Sequence, residues 1–140
     1  MSNSPTLVTP TLGAATATSI NTLTIGLGNN NVSSNTAIGV DALKTMNASG
    51  TNNTGIGNRA IYNATSATDN TAVGSYALYN NVSGVKNSAL GTGALQGVAS
   101  AIGANNTAMG YYSSNAMNGG SNNVTYGYYS GALLSSGSSN

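Results

Sequence analysis

Histidine, cysteine, tryptophan and phenylalanine are all missing from this chain of 140 residues, and only five side chains carry charge: Asp41, Lys44, Arg59, Asp69 and Lys86. Each absence removes a class of chemistry. General acid–base catalysis needs a titratable group tuned near the working pH, and the carboxyls at hand, Asp41 and Asp69, are 28 positions apart. A Ser or Thr nucleophile needs a neighbouring base, for which Lys44 and Lys86 are the remaining candidates. The sequence therefore reads as a non-enzyme with no catalytic residue. Zinc and iron centres rest on thiolate and imidazole, so no metal or cofactor is expected, a weak oxygen-ligand calcium site being the one option left open. The net charge is +1 and the three cations are scattered singly, so no basic stripe could neutralise a row of phosphates. Nucleic acid is not an expected partner.

Lack of cysteine also removes disulfides as a source of stability. No apolar run is long enough to span a bilayer, and the opening MSNSPTLVTPTLG has neither a basic nor a continuous apolar region. The expectation is a soluble product without an export signal and without membrane insertion. Asn-x-Ser/Thr sequons at Asn31, Asn47, Asn63, Asn81 and Asn123 follow from a composition rich in Asn, Ser and Thr and are read as unmodified.

What the chain does have is a repeat. NTAIGVDAL from Asn35 recurs as NTGIGNRAI from Asn53, NTAVGSYAL from Asn70 and NSALGTGAL from Asn87. Weaker copies follow, NTAMGYYSS from Asn106 and NVTYGYYSG from Asn123, and TLTIGLG at residues 22–28 reads as a truncated opening copy. The central glycines, Gly39, Gly57, Gly74, Gly91, Gly110 and Gly127, are spaced by 18, 17, 17, 19 and 17 residues. So short a period, in so helix-poor a composition, predicts an all-β parallel solenoid, or β-roll, of about six coils of 17–19 residues. A short helical turn over DALKTM, residues 41–46, is the alternative for the segment after each glycine.

The aligned columns have physical meanings. The residue before each glycine, Ile38, Ile56, Val73, Leu90 and Met109, is expected to point inward as a core column, with Leu43, Ile61, Leu78 and Leu95 as a second. The glycines serve either a positive φ at a corner or a close backbone approach. Asn35, Asn53, Asn70, Asn87, Asn106 and Asn123 are expected to form a hydrogen-bonded ladder from coil to coil. The variable linking stretches read as loops at one edge, and neither end shows a charged or bulky cap. Each coil supplies about two large apolar side chains, worth roughly 1.5–3 kcal/mol apiece when buried, so a coil cannot offset its own ordering entropy alone. Stacking and oligomerisation are expected to supply the rest.

The NTAIGxxAL unit resembles the head repeats of trimeric autotransporter adhesins and the same class of repeat in bacteriophage tail fibres, over residues 22–131. The resemblance implies a left-handed parallel β-roll, three chains side by side with their aliphatic columns buried, and adhesion on the outer surface. The opening LVTPTLGAATATSIN is similar to lead-in stretches of tail-fibre proteins and favours a virion component, assembled in the host cytoplasm and exposed on the particle. Residues 1–21 would be an extended attachment segment, 22–131 the solenoid and 132–140 a polar tail. The expected function is a short trimeric fibre, fibre tip or head decoration of a bacteriophage, acting in assembly and host attachment. Its expected partners are itself, other virion proteins through the N-terminal segment, and a host surface glycan. The rival readings are a carbohydrate-binding adhesin module and a self-assembling solenoid filament.

Tyrosine is the only aromatic residue, and five of the eight, Tyr111, Tyr112, Tyr126, Tyr128 and Tyr129, fall in the last two repeats. Stacked rings with hydroxyl handles suit a sugar or a protein, so these five form the candidate ligand or partner patch. The alternative is that they cap the end of the solenoid or pack within a trimer. The Thr column beside the Asn ladder is read as ladder packing rather than an ice-binding strip. Asp41 and Arg59 fall at the same position in successive units, where an exposed ion pair would contribute at most about 1 kcal/mol.

Overall fold

A strand of three residues needs no more than a Thr-Ala-Ile triplet, and one such triplet per repeat is what folds. The computed structural model describes residues 24–98, 102–132, 134 and 139, so the predicted attachment segment lies outside the described residues, as does most of the tail. Six strands recur, β2 (Thr36–Ile38), β3 (Thr54–Ile56), β4 (Thr71–Val73), β5 (Ser88–Leu90), β6 (Thr107–Met109) and β7 (Val124–Tyr126). They pair in parallel and in register, Thr36 on Thr54 on Thr71 and Ile38 on Ile56 on Val73, making a β-solenoid of about five turns.

The opening segment departs from the repeat. Strand β1 (Ile25–Gly26) runs antiparallel to β2, with Ile25 opposite Ile38. The Gly39 amide donates to the Thr24 carbonyl at 2.8 Å, and the following turn at Asn29–Asn31 is tied to the first coil by Asn29 N–H to the Leu43 carbonyl at 3.1 Å. Asn30 Nδ2 adds a bond to the Met46 carbonyl at 2.8 Å. The described part of this opening copy, from Thr24 on, is thus not a truncated coil but a latch against the first one.

The interior also corrects the sequence reading. Ile38, Ile56 and Val73 are half-buried, and Leu90 and Met109 are 45 % and 36 % exposed, because this column points out of the coil. Successive strand residues face opposite ways, and the inward position is the preceding one, Ala37, Gly55, Ala72, Ala89, Ala108 and Thr125, all buried. The reason is space: a Cβ on Gly55 would already stand 3.4 Å from Leu43 Cγ. Small residues on the strand leave room for the second predicted column, and Leu43, Ile61, Leu78 and Leu95 are each completely buried. The linking stretches are not mere loops, since Met46, Ala64, Ala67, Ile102 and Met117 form a further wall of the core. In the last two coils hydroxyls replace the aliphatics, with Thr125 Oγ1 lying 2.8 Å from both Ser113 Oγ and Ser114 Oγ. Leu134, the described residue of the tail that reaches the core, packs against it.

After each glycine the chain turns rather than forming a helix. Asp41 and Leu43 have φ of 60° and 54°, Arg59 and Ile61 of 55° and 51°, Tyr76 and Leu78 of 58° and 53°, so every second residue is left-handed and no α-helical turn can propagate. The column glycines satisfy both candidate explanations at once. Their φ runs from 117° to 139°, and a Cβ on Gly39, Gly57, Gly74 or Gly91 would approach the next coil's glycine backbone to 2.5–2.7 Å. On the other corner the Asn ladder is continuous and buried: Asn35 Oδ1 accepts from Asn53 N–H at 2.8 Å, Asn53 Oδ1 from Asn70 at 3.1 Å, Asn70 Oδ1 from Asn87 at 2.9 Å. Each amide also closes its own coil, Asn53 Nδ2 donating to the Ala67 carbonyl and Asn70 Nδ2 to the Gly84 carbonyl at 2.8 and 2.9 Å.

A core substitution separates the two columns. Leu78→Asp is expected to abolish the cooperative thermal transition seen by circular dichroism, because a carboxylate would replace a fully buried side chain with no partner within the coil. Retention of the transition would refute the core assignment of that column.

Candidate functional site

Two surfaces follow from this geometry. The first is the outward face of the parallel sheet, where the aliphatic column of Ile38, Ile56, Val73, Leu90 and Met109 runs beside the column of Thr36, Thr54, Thr71, Ser88 and Thr107. No residue of either column is charged, and Tyr126, 78 % exposed, prolongs the aliphatic one on β7. Tyr126 therefore stands apart from the other four residues of the predicted tyrosine patch.

The second surface is the corner just beyond the glycine column. Backbone hydrogen bonds keep this corner in register through every coil, from Arg59 N–H to the Val40 carbonyl, Tyr76 to Asn58, Gly93 to Ser75, Tyr112 to Thr92 and Tyr129 to Tyr111, at 2.8–3.0 Å. Tyr111 stacks on Tyr128 and Tyr112 on Tyr129, with centroids 5.6 and 5.4 Å apart and planes within 11°. Within a coil the pairs meet edge to face at 4.6 and 4.8 Å, an arrangement the ring quadrupole favours. Ring neighbours partly desolvate the Tyr129 hydroxyl and raise its pKa above the ordinary value, the nearby Tyr111, Tyr128 and Tyr112 adding to the effect.

The same corner holds three further tyrosines that the sequence reading did not connect with the patch. Tyr62 stacks on Tyr79 at 5.1 Å and Tyr76 lies 5.2 Å from Tyr79. Arg59 Nη1 donates to the Tyr76 hydroxyl at 2.9 Å, and its guanidinium lies 5.7 Å from the ring centres of Tyr62 and Tyr76. The bond to Tyr76 is the main cause of a raised Arg59 pKa, and the hydrogen bond from Lys44 Nζ to Asp41 Oδ1, at 3.0 Å, raises that of Lys44. The cross-coil pair expected from the sequence is present as a long contact, Arg59 Nε to Asp41 Oδ2 at 3.7 Å. The signal for the missed residues was their offset, two or five positions after the column glycine.

The two carboxylates have separate partners: Asp41 is held by Lys44 and Arg59, while Asp69 accepts from Asn52 Nδ2 at 3.0 Å. Between the two tyrosine blocks lies one coil without aromatics, carrying Thr92, Gly93 and Gln96. There the Tyr112 ring leans over Gly93, since a Cβ on that glycine would lie 2.7 Å from the ring. No helix among the described residues is long and apolar enough to cross a membrane. No protein-family model matches the chain, and comparison with curated proteins and with solved structures finds no match.

Proposed function

We propose that this protein is a structural component of a virus particle, a short trimeric fibre or fibre tip that takes part in assembly and host attachment. The observation that supports it best is the outward aliphatic column. Isolated apolar residues on a surface need no explanation, but a continuous uncharged strip along a parallel sheet is the kind of surface that another chain covers. Copies of the same chain fit it because the strip is periodic and self-similar, and three copies around one axis close the assembly. Each outward aliphatic side chain then moves from partial to full burial, which stabilises by up to about 1 kcal/mol per residue, since more than half of its surface is already covered. The virion assignment itself rests on the likeness of the NTAIGxxAL unit to fibre repeats. A carbohydrate-binding adhesin is the second reading, favoured by the tyrosine corner. End-to-end filament growth is opposed at one end by β1, which covers the free edge of β2.

Light scattering behind size exclusion tests this reading. The mass is expected to be about three times 13.7 kDa and constant with concentration. Leu90→Asp is expected to give a folded species of single-chain mass, since the substituted side chain faces out of the coil and into the partner. A compact wild-type monomer would sink the trimer, and a mass that grows with concentration would favour the filament.

A further inference from the structure

Seven of the eight tyrosines gather beside the corner that follows the glycine column, in two blocks, Tyr62, Tyr76 and Tyr79 on the second and third coils and Tyr111, Tyr112, Tyr128 and Tyr129 on the last two. Structural need does not account for the more exposed of them. Tyr111, Tyr128 and Tyr129 are 47 %, 76 % and 44 % exposed, whereas Thr92 and Gly93 serve the same backbone positions with no ring at all.

We propose that this corner is a binding ridge for a neutral polysaccharide laid along the solenoid axis. The platform is the double stack of Tyr111 on Tyr128 and Tyr112 on Tyr129, and the chain of sugars runs from it across the Tyr112 ring, which leans over the ring-free coil at Gly93, toward Tyr76 and Tyr79. Three properties of the ridge select this ligand. Tyrosine rings offer an apolar face for the C–H side of a pyranose and a hydroxyl for its polar edge. Coils stacked as strands repeat roughly every 4.8 Å, close to the advance of one pyranose along an extended glycan, so successive sugars keep step with successive coils. The third property is charge: no residue after Lys86 is ionisable in its side chain other than tyrosine, and at the far end Lys44 and Arg59 are engaged with Asp41 and Tyr76. An anionic glycan or a phosphate would find no free row of cations on the platform.

The inference deepens the adhesive part of the proposed function and does not depend on the number of chains. Its test uses a natural probe, since the protein has no tryptophan and seven of its eight tyrosine emitters lie on the ridge. Tyrosine fluorescence would be titrated with a panel of soluble neutral polysaccharides (mannan, β-glucan, galactan and xylan), with heparin as the anionic control. At least one neutral polysaccharide is expected to bind saturably, with an affinity little changed by raising salt from about 0.05 M to about 0.5 M, because ion pairing is not involved. Tyr128→Ala and Tyr111→Ala are each expected to weaken that binding by about tenfold or more, with a cooperative melting transition retained and solution mass unchanged, and Lys44→Ala to leave it intact. Absence of binding to the whole panel would overturn the proposal, as would binding indifferent to both tyrosine substitutions, or binding of heparin alone that salt abolishes. A trimer that binds no neutral polysaccharide would remove the ridge and spare the fibre, whereas a monomer that binds one would do the reverse.

Discussion

Asn70→Ala lowers the thermal unfolding midpoint by about 10 °C or more, while Asn118→Ala, at an exposed asparagine, leaves it within about 2 °C. Asn70 is 1 % exposed, and its Nδ2 lies within reach of three acceptors, Asn53 Oδ1 at 3.0 Å and the Thr68 and Gly84 carbonyls at 2.9 Å. Its Oδ1 accepts the backbone N–H of Asn87 at 2.9 Å. Truncation leaves that buried N–H without its acceptor and loosens the closure of the coil at Gly84. At about 1–3 kcal/mol for each buried polar group left unpaired, the loss sums to about 3–5 kcal/mol. Asn70→Asp is no rescue, because its second oxygen would face acceptors where the amide donates. A protonated carboxyl could still donate, so this variant's folded pKa is raised, and its stability is present in acid and lost as the pH rises through that pKa. Melting curves of the three variants in acid and neutral buffer check the whole set.

Gly74→Ala is expected to cost more than about 4 kcal/mol and to leave little cooperative structure. Its Cβ would stand 2.5 Å from the Gly91 carbonyl oxygen and 2.6 Å from the carbonyl carbon, against backbone that cannot swing aside without parting two coils. Its φ of 139° adds strain. Gly127→Ala is the informative control, for its φ is 117° yet the nearest atom to an added Cβ is Ser130 Cβ at 3.9 Å. That substitution is expected to carry the dihedral cost alone, about 1–3 kcal/mol. Equal destabilisation of the two variants, measured by circular dichroism melting, would mean that close stacking of the coils plays no part in selecting glycine.

The columns that were legible in the sequence are those where one side-chain type does a job no other can do. Glycine at Gly39 through Gly110 is forced by the neighbouring backbone, and asparagine at Asn35 through Asn123 by the need for a donor and an acceptor on one short stem. Inside and outside were not legible on the strand. Ala37 and Ile38 are both apolar, and the larger of two apolar neighbours is ordinarily the buried one, but a coil this narrow admits the smaller and turns the larger out. The left-handed conformations at Leu43, Ile61 and Leu78 had no local signal, since leucine and isoleucine disfavour them and the stacked coils impose them. Met46, Ala64 and Met117 share an offset of seven residues after the column glycine, but Asn81 and the exposed Val98 at the same position break the apolar column, and the uneven linkers that follow left Ile102 outside any column. Of the tyrosine corner, the doublets at Tyr111 and Tyr128 stood out by composition. Tyr62, Tyr76 and Tyr79 join them only once the register of the coils is known.

The latch formed by β1 gives the rod two unequal ends. At one, an antiparallel strand and the Asn30 side chain clasp the first coil, while at the other the interior is lined by Ser113, Ser114 and Thr125 instead of leucine. Because each coil touches only its neighbours, tension along the axis would peel the molecule in single turns and not as one block. Yielding would begin at the hydroxyl-lined end. Each turn set free is a contour of roughly 55–70 Å for 17–19 residues of extended chain, so the rod would pay out length under a pull in a ratchet of nearly even steps before the clasped end opens.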